Sequence, residues 1–292
     1  MILVFGSINI DVLVPVPILP LPGETVLGGD YALLPGGKGA NQALAARRAG
    51  AAVRLAGAVG EDGFAALALA NLRAEGVDLD LVRRVGRPTG CAAIMVGEGG
   101  ENLIAVAPGA NTAAAAADVP EAALGPGTTL VCQLEVPPAE SAALVRRARA
   151  AGVRVILNLA PALPLEPALF ADIDVLVANR SEAAALGGDS AGLARALRQA
   201  LVVTSGAEGA IAYLAEGGMI PVPALAIAPV DTTGAGDTFV GVLAAGLDEG
   251  LALEPALRRA SAAAGLACLA AGAQTAMPDQ AAIDGAVGRL GN

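Results

Sequence analysis

Asp231-Thr-Thr-Gly-Ala-Gly-Asp237-Thr-Phe-Val-Gly-Val-Leu243 is the stretch on which the reading of the fold turns. A β-like run, Ala226-Ile-Ala-Pro-Val230, precedes it, and Phe239, Val240, Leu243 and Leu247 then recur on one helical face. A Gly-Ala-Gly turn that opens a helix leaves backbone N–H groups unpaired. The positive end of the helix dipole adds to them, so the place favours an anion such as a phosphate. A carboxylate there repels the anion unless it has other work. For Asp237 the simplest work is to accept a proton from a hydroxyl that attacks the phosphate. The bland alternative is a Gly-rich helix start with Asp as an ordinary first-turn residue, the commoner meaning of a lone match.

Working outward, 292 residues suffice for one large α/β domain, or a main domain with an appendage. Hydrophobic residues make up 55% of the chain but aromatics only 2%, so the core must be built from Ala, Leu and Val. Ala-rich helices packed closely on Val/Ile/Leu strands meet that demand. The formal charge of −10 (18 basic against 28 acidic residues) comes without a basic patch, so no nucleic-acid partner is expected. Cys91, Cys132 and Cys268 are widely spaced and match no metal pattern, which suits buried thiols in a reducing compartment. There is no histidine, which excludes Ser-His-Asp and Cys-His catalysis and any His-ligated zinc. Met1-Ile-Leu-Val-Phe5 reads as a buried strand rather than a signal peptide, and the Ala-rich runs are interrupted by Asp, Pro and Gly. A cytoplasmic protein with no membrane association is the expectation.

In chain order, residues 2–6 predict a first strand, with Asn9 and Asp11 at its C-terminal end and on one side of an extended chain. Ligands sit at that end in open α/β sheets, and an amide beside a carboxylate suits vicinal sugar hydroxyls; turn chemistry is the even alternative. Residues 12–35 read as short strands and turns, and 88–108 as a hairpin around Gly97-Glu-Gly-Gly-Glu101. Together they predict a small sheet that closes over a substrate. Between them Pro35-Gly-Gly-Lys38-Gly-Ala-Asn41-Gln42 opens a helix over 40–49. It is not a P-loop, because Lys38 is followed by Gly39 rather than Ser or Thr. Glycines there permit close approach, and Lys38 and Asn41 offer donors; a helix start with an exposed Lys is the plain reading. From residue 52 strands alternate with helices: strands at 53–59, 129–134, 153–158, 174–178 and 201–204, and helices at 63–75 and 138–151. That order implies a mainly parallel sheet with helices on both faces. Asn9, Asp11, Glu135, Asn158, Asn179 and Glu182 recur at strand C-terminal ends. Asn179 and Glu182, three apart, form a capping box and could also hold a hydrated Mg²⁺ beside phosphates.

Assembled, these residues resemble the ribokinase-like (PfkB) family of carbohydrate kinases nearly end to end, from Gly6-Ser-Ile-Asn9-Ile-Asp11 to Gly272-Ala-Gln-Thr-Ala-Met-Pro278. Gly36-Gly-Lys-Gly-Ala-Asn-Gln42 and Asp231-Thr-Thr-Gly-Ala-Gly-Asp237-Thr-Phe239 match its two signatures; Pro22-Gly-Glu-Thr-Val26, Glu135 and Gly109-Ala-Asn111 add to them. The resemblance implies one kinase domain over 1–292, a Rossmann-like αβα sandwich with a mainly parallel sheet and a small β lid from about 12–35 and 88–108. It implies transfer of the ATP γ-phosphate to a sugar hydroxymethyl oxygen. D-ribose is the expected acceptor, and fructose, 2-keto-3-deoxygluconate or a nucleoside are the alternatives within the family. A non-catalytic sugar or nucleotide sensor is the alternative outside it. Carried over by position, Asp237 is the base and the N–H groups of Gly234, Ala235 and Gly236 form the anion hole. Asn9, Asp11, Gly37, Lys38, Asn41 and Glu135 line the sugar pocket together with Asp237. Asn179, Thr204, Gly206 and Gly236 lie along ATP, with Asn179 and Glu182 serving Mg²⁺ through water. Asp231, Thr233, Ala267, Ala270 and Gly272 match a site for a monovalent cation, K⁺, where Ala276 replaces a usual Ser and removes one oxygen ligand. A homodimer through the lid is also implied.

Overall fold

The computed structural model describes residues 1–291. The first half of the chain forms strands β1 (Ile2–Phe5), β2 (Asn9–Val16), β3 (Ala32–Gly36), β4 (Val53–Gly60), β5 (Asp78–Val85), β6 (Gly90–Gly97), β7 (Asn102–Ala107) and β8 (Thr129–Cys132). The second half adds β9 (Arg154–Asn158), β10 (Val175–Asn179), β11 (Ala200–Thr204), β12 (Ala210–Leu214) and β13 (Met219–Val222). The helices are α1 (Lys38–Arg48), α2 (Gly63–Ala68), α3 (Ala70–Ala74), α4 (Pro138–Ala150), α5 (Arg180–Ala185), α6 (Ser190–Ala196), α7 (Ala235–Glu249), α8 (Leu253–Ala267) and α9 (Gln280–Val287).

Nine strands make the main sheet in the order β13-β12-β11-β10-β9-β8-β1-β4-β5. The strands from β11 to β5 pair in parallel, and β12 and β13 are added at one edge through antiparallel pairings, β11 with β12 and β12 with β13. Alternation along the strands divides the core in two. Ile2 and Val4 of β1, Val131 of β8, Ile156 of β9, and Val175 and Val177 of β10 pack with Leu44 of α1, Phe239 and Leu243 of α7 and Leu257 of α8. Their neighbours Leu3, Phe5, Leu130, Val155, Leu157 and Leu176 pack on the opposite side with Leu144 and Val145 of α4. This is the α/β fold with helices on both faces that the periodicity predicts. Few aromatics are needed, because small residues let helices come close: a Cβ on Gly241 of α7 would lie 2.5 Å from the Gln42 carbonyl of α1. That close crossing sets the N-terminus of α7 against α1, where the site is built.

A second, four-stranded sheet runs β3-β2-β6-β7. It joins the two β segments foreseen at 12–35 and 88–108, with β2 parallel to β6 and antiparallel to β3. Several boundaries differ from the sequence expectation. Asn9 and Asp11 do not end β1; they begin β2 of the small sheet. The chain leaves the main sheet at Gly6, where the Ser7 carbonyl accepts from the Ala40 N–H at 2.9 Å and ties the bend to α1. Residues 226–230 pair with no strand. Pro229 has no N–H to donate, and the Val230 N–H is taken by the Cys268 carbonyl at 2.8 Å. The helix expected over 63–75 is interrupted at Leu69. Strand β5 and the β12–β13 hairpin were not foreseen: β5 is charge-rich and half-exposed, the mark of an edge strand.

Candidate active site

The C-terminal ends of β11, β10, β9, β8 and β1 lie side by side along one edge of the main sheet. From β1 the chain goes to β4 on one side and later to β8 on the other, so β1 and β8 flank the switch point at which such sheets open a crevice. Ser7, just after β1, donates through Oγ to Glu135 Oε2 at 2.5 Å, just after β8. The same oxygen accepts from the Lys38 N–H at 3.1 Å, so Glu135 caps α1 from across the crevice. Its other oxygen takes no hydrogen bond among the described residues.

Asp237 enters this crevice from the first turn of α7 and is only 7% exposed. Both carboxylate oxygens are held: Asn41 Nδ2 donates to Oδ2 at 2.9 Å and Gln42 Nε2 to Oδ1 at 2.9 Å. Gln42 is in turn fixed by Asn158, which accepts from Nε2 at 3.0 Å, and by Gln133, which donates to Oε1 at 2.6 Å. Amide donors on both oxygens fix the orientation of the carboxylate. The adjoining turn is set by Gly234 at φ 76°. The Ala235 N–H donates to the Thr232 carbonyl at 3.2 Å. The N–H groups of Gly234, Gly236 and Asp237 have no acceptor among the described residues, so these three are the free donors at the helix end.

The other wall carries Asn9 and Asp11 on β2, with Gly36 and Gly37 against them. Asn111 holds Asn9, its Nδ2 donating to Asn9 Oδ1 at 2.6 Å, while Asn111 Oδ1 accepts from the Ile8 N–H at 2.9 Å. Burial, then the charges of Glu135 and Asp237, push the Asp11 carboxyl up to about 6, against an opposing pull from Lys38. Lys38, the chain's only lysine, is held above its ordinary value chiefly by Asp237, then by Glu135, Glu182 and Asp11, against its own burial. One ammonium thus lies in the field of all four carboxylates.

The raised Asp11 pKa has a sign that can be measured. An ionised carboxylate accepts from hydroxyls on both oxygens, and a protonated one loses part of that capacity. A polyhydroxylated substrate is therefore expected to bind best above pH 6, with KM rising as the pH falls through 6 and kcat less affected. Stability moves the other way. The folded value lies above the unfolded 3.8, so the contribution of this group is fully present below about pH 4 and lost as the pH rises through 6. Asp11→Asn is expected to raise Tm at pH 7 while weakening substrate binding, checked by thermal melts and a KM profile from pH 5 to 8.

At the far end of the crevice Asn179 and Thr204 are register partners on β10 and β11. Gly206 opens the next turn, which Glu208 ties to Arg180 of α5. Asn179 and Glu182 make the expected capping box, Asn179 Oδ1 accepting from the Glu182 N–H and Glu182 Oε2 from the Asn179 N–H, each at 2.8 Å. One Glu182 oxygen stays unbonded among the described residues, a donor set that fits Mg²⁺ keeping its water shell. Asp231 joins two loops, its Oδ1 accepting from the Thr233 N–H at 2.9 Å and Oδ2 from the Gly272 N–H at 2.8 Å. Ala267 ends α8, and Ala270 and Gly272 follow on the same loop.

Sequence pattern gives no role to Gln42, Asn111, Gln133 or Gln274, and marks Asn158 only as a strand end. Amides give no periodic signal, and these pair across 91 to 233 positions. The signal that could have pointed to them is position: Gln42 lies within a family signature, and Asn111 and Gln274 lie within the shorter segments that share the resemblance.

Residues 1–280 match the profile of the pfkB family carbohydrate kinases. Ribokinase of Bacillus subtilis is 39% identical over 283 residues, covering 95% of this chain and 96% of that protein. A crystal structure of ribokinase from Thermotoga maritima superposes with a TM-score of 0.92 at 29% identity, covering 98% of this chain and 99% of that one. The structure of Arabidopsis thaliana ribokinase complexed with ribose and ATP gives 0.88 at 31% identity, with 98% of each chain covered. With the fold, both signatures and near-complete coverage in agreement, the chain belongs to the pfkB family of carbohydrate kinases and is a phosphotransferase acting on a sugar hydroxyl.

Proposed function

We propose that the chain phosphorylates the 5-hydroxyl of D-ribose with ATP, giving D-ribose 5-phosphate and ADP. The observation that carries this reading is the Asp237 carboxylate, fixed by two amides beside free N–H groups at the start of α7. The hydroxyl oxygen bonds to the γ-phosphorus, its proton passes to Asp237, and the bond from phosphorus to the ADP oxygen breaks. The N–H groups of Gly234 and Gly236 meet the charge that develops on the transferred phosphoryl oxygens, and the Asp237 N–H joins them where Ala235 is engaged. Asn9, Asp11, Lys38, Asn41, Glu135 and the backbone at Gly37 orient the sugar, so the reaction is accelerated chiefly by positioning. Thr204, Gly206 and Asn179 line the nucleotide. Asn179 and Glu182 would hold Mg²⁺ through water, and the ion would supply neutralisation of phosphate charge.

The chain acts as one kinase domain in which the small sheet is a lid. Leu103, Ile104 and Val106 on β7 are exposed apolar residues on that sheet, which supports a homodimer formed through it. Asp231, Thr233 and the carbonyls of Ala267, Ala270 and Gly272 would hold a monovalent cation, with Ala276 supplying no side-chain oxygen. Among the described residues no helix is long and apolar enough to cross a membrane, and a cytoplasmic location is part of the same reading.

The test is ADP production from Mg²⁺-ATP with ribose, 2-deoxyribose, fructose, adenosine and 2-keto-3-deoxygluconate, each with K⁺ and with a bulky organic cation instead. The expected result is a clear preference for ribose, with K⁺ activation weakened by the missing ligand at Ala276. Preference for another acceptor would keep the mechanism and move the substrate. ATP binding without turnover of any of them would leave a sensor as the better reading.

A further inference from the structure

The amides that end on Asp237 begin in another part of the molecule. Gln274 lies on the loop after α8, two residues beyond the Gly272 that is tied to Asp231. Its side chain is 1% exposed. Its Nε2 donates to Asn41 Oδ1 at 3.1 Å, and Asn41 Nδ2 donates onward to Asp237 Oδ2 at 2.9 Å. Behind it Asn71 of α3 donates through Nδ2 to Gln274 Oε1 at 3.0 Å. Arg48 of α1 fixes the backbone on either side, donating to the carbonyls of Gln274 at 2.7 Å and Met277 at 2.9 Å.

The direction of this chain follows from its last member. An ionised carboxylate can only accept, so Asn41 must turn its NH₂ toward Asp237 and its oxygen toward Gln274. Gln274 must then present NH₂ to Asn41 and oxygen to Asn71. Each amide has one orientation that satisfies both neighbours, and reversing one places like against like in a buried site. Asn71, Gln274, Asn41 and Asp237 therefore form a single polarised line from helix α3, through the loop, to the carboxylate.

We infer that Gln274 is a positioning residue for phosphoryl transfer: it fixes the orientation of the Asn41 amide, and thereby the Asp237 carboxylate, and ties the loop at 271–276 to the reacting group. The inference rests on Asp237 being the base, as proposed above. Gln274 need not touch substrate. Its influence passes through hydrogen-bond direction, which separates it from a residue that only fills space.

Two substitutions exploit that difference. Gln274→Glu keeps the shape but offers an acceptor where Asn41 needs a donor. Asn41 then lies between two acceptors and must set its oxygen against either the new carboxylate or Asp237 Oδ2, so its hold on Asp237 is lost or weakened. Gln274→Met keeps much of the volume and removes all polarity, leaving Asn41 oriented by Asp237 alone. Gln274→Glu is expected to lower kcat by about 10²-fold, the loss typical of a misplaced reacting group, and Gln274→Met by several-fold less. In Gln274→Glu the acid limb of the kcat–pH profile is expected to move to higher pH, because a second carboxylate joins the Asp237 network. KM for the sugar should change less than kcat in both, in assays run well below each variant's Tm. Near-wild-type kcat in both variants would overturn the inference. So would a reversed order, with Gln274→Met the more damaged and its loss tracking Tm, since that is the mark of a packing residue. Wild-type protein that turns over no sugar, or an Asp237→Asn variant of undiminished kcat, would overturn the underlying reading and this inference with it. An active wild type with an impaired Asp237→Asn and an unaffected Gln274→Glu removes the inference alone.

Discussion

Asp237→Asn is expected to lower kcat by about 10²–10⁴, the range for loss of a general base, equivalent to roughly 3–5 kcal/mol of barrier. Two effects combine. The amide cannot take the hydroxyl proton, and the new NH₂ group must face either Asn41 Nδ2 or Gln42 Nε2, both of which are donors aimed at Asp237. One of the two hydrogen bonds is therefore lost, and the replacement side chain has no orientation that satisfies both neighbours. Sugar affinity, which in the proposed reading rests also on Asn9, Asp11, Lys38 and Glu135, is expected to change little. Steady-state kinetics paired with calorimetric titration of ribose separates the two quantities. Wild-type turnover in this variant would remove Asp237 from the chemistry, and a loss confined to affinity would make it a binding group only.

Gly234→Ala is expected to be the most damaging single methyl that can be added to the site. Gly234 has φ 76°, where an L-residue is strained by about 1–2 kcal/mol. The added Cβ would stand 2.8 Å from Ala273 Cβ and 2.9 Å from its Cα, and overpacking of that kind adds about 1–3 kcal/mol. Together they remove roughly 2–5 kcal/mol from a native state that holds about 5–15, a Tm drop on the order of 3–8 °C for a chain of this length. The loop that must yield carries Gly272 and Gln274, so turnover should fall even at temperatures where the variant is folded. Gly236→Ala is the control. It lies outside the positive-φ region, and its Cβ would meet nothing within 4 Å, so its Tm should equal or exceed that of the wild type. Equal melting temperatures for the two variants would show that the close approach of Gly234 to Ala273 carries no strain.

Much of the fold was legible because its signals are local and periodic. The strands at 2–6, 129–134 and 174–178 are short apolar runs, and α7 shows a helical stripe from Phe239 to Leu247. The turn at 234–236 was legible because glycine there has a backbone reason. Edge elements were less so: Asp78–Val85 alternates weakly and carries four charged residues, because water covers much of it. Val230 looked strand-like, yet its N–H is used by Cys268 and not by a neighbouring strand. In the site, Asn9, Asp11, Glu135 and Asn179 stood out as polar residues beside apolar runs. The groups that hold them did not, because Gln133, Gln42 and Gln274 act through partners far away in sequence and only the folded chain brings them together.

The lone lysine has a further consequence, in protein chemistry. Amine-directed reagents meet two amines on this chain: the N-terminus, ion-paired to Asp248 at 2.9 Å, and Lys38 inside the crevice. Arginine supplies every other basic side chain, so the outer surface offers no acylation, ubiquitination or aldehyde-crosslinking handle of lysine type. Once the N-terminal amine is blocked, each further acyl group on an amine marks Lys38, and occupancy of the crevice becomes a quantity read from intact mass.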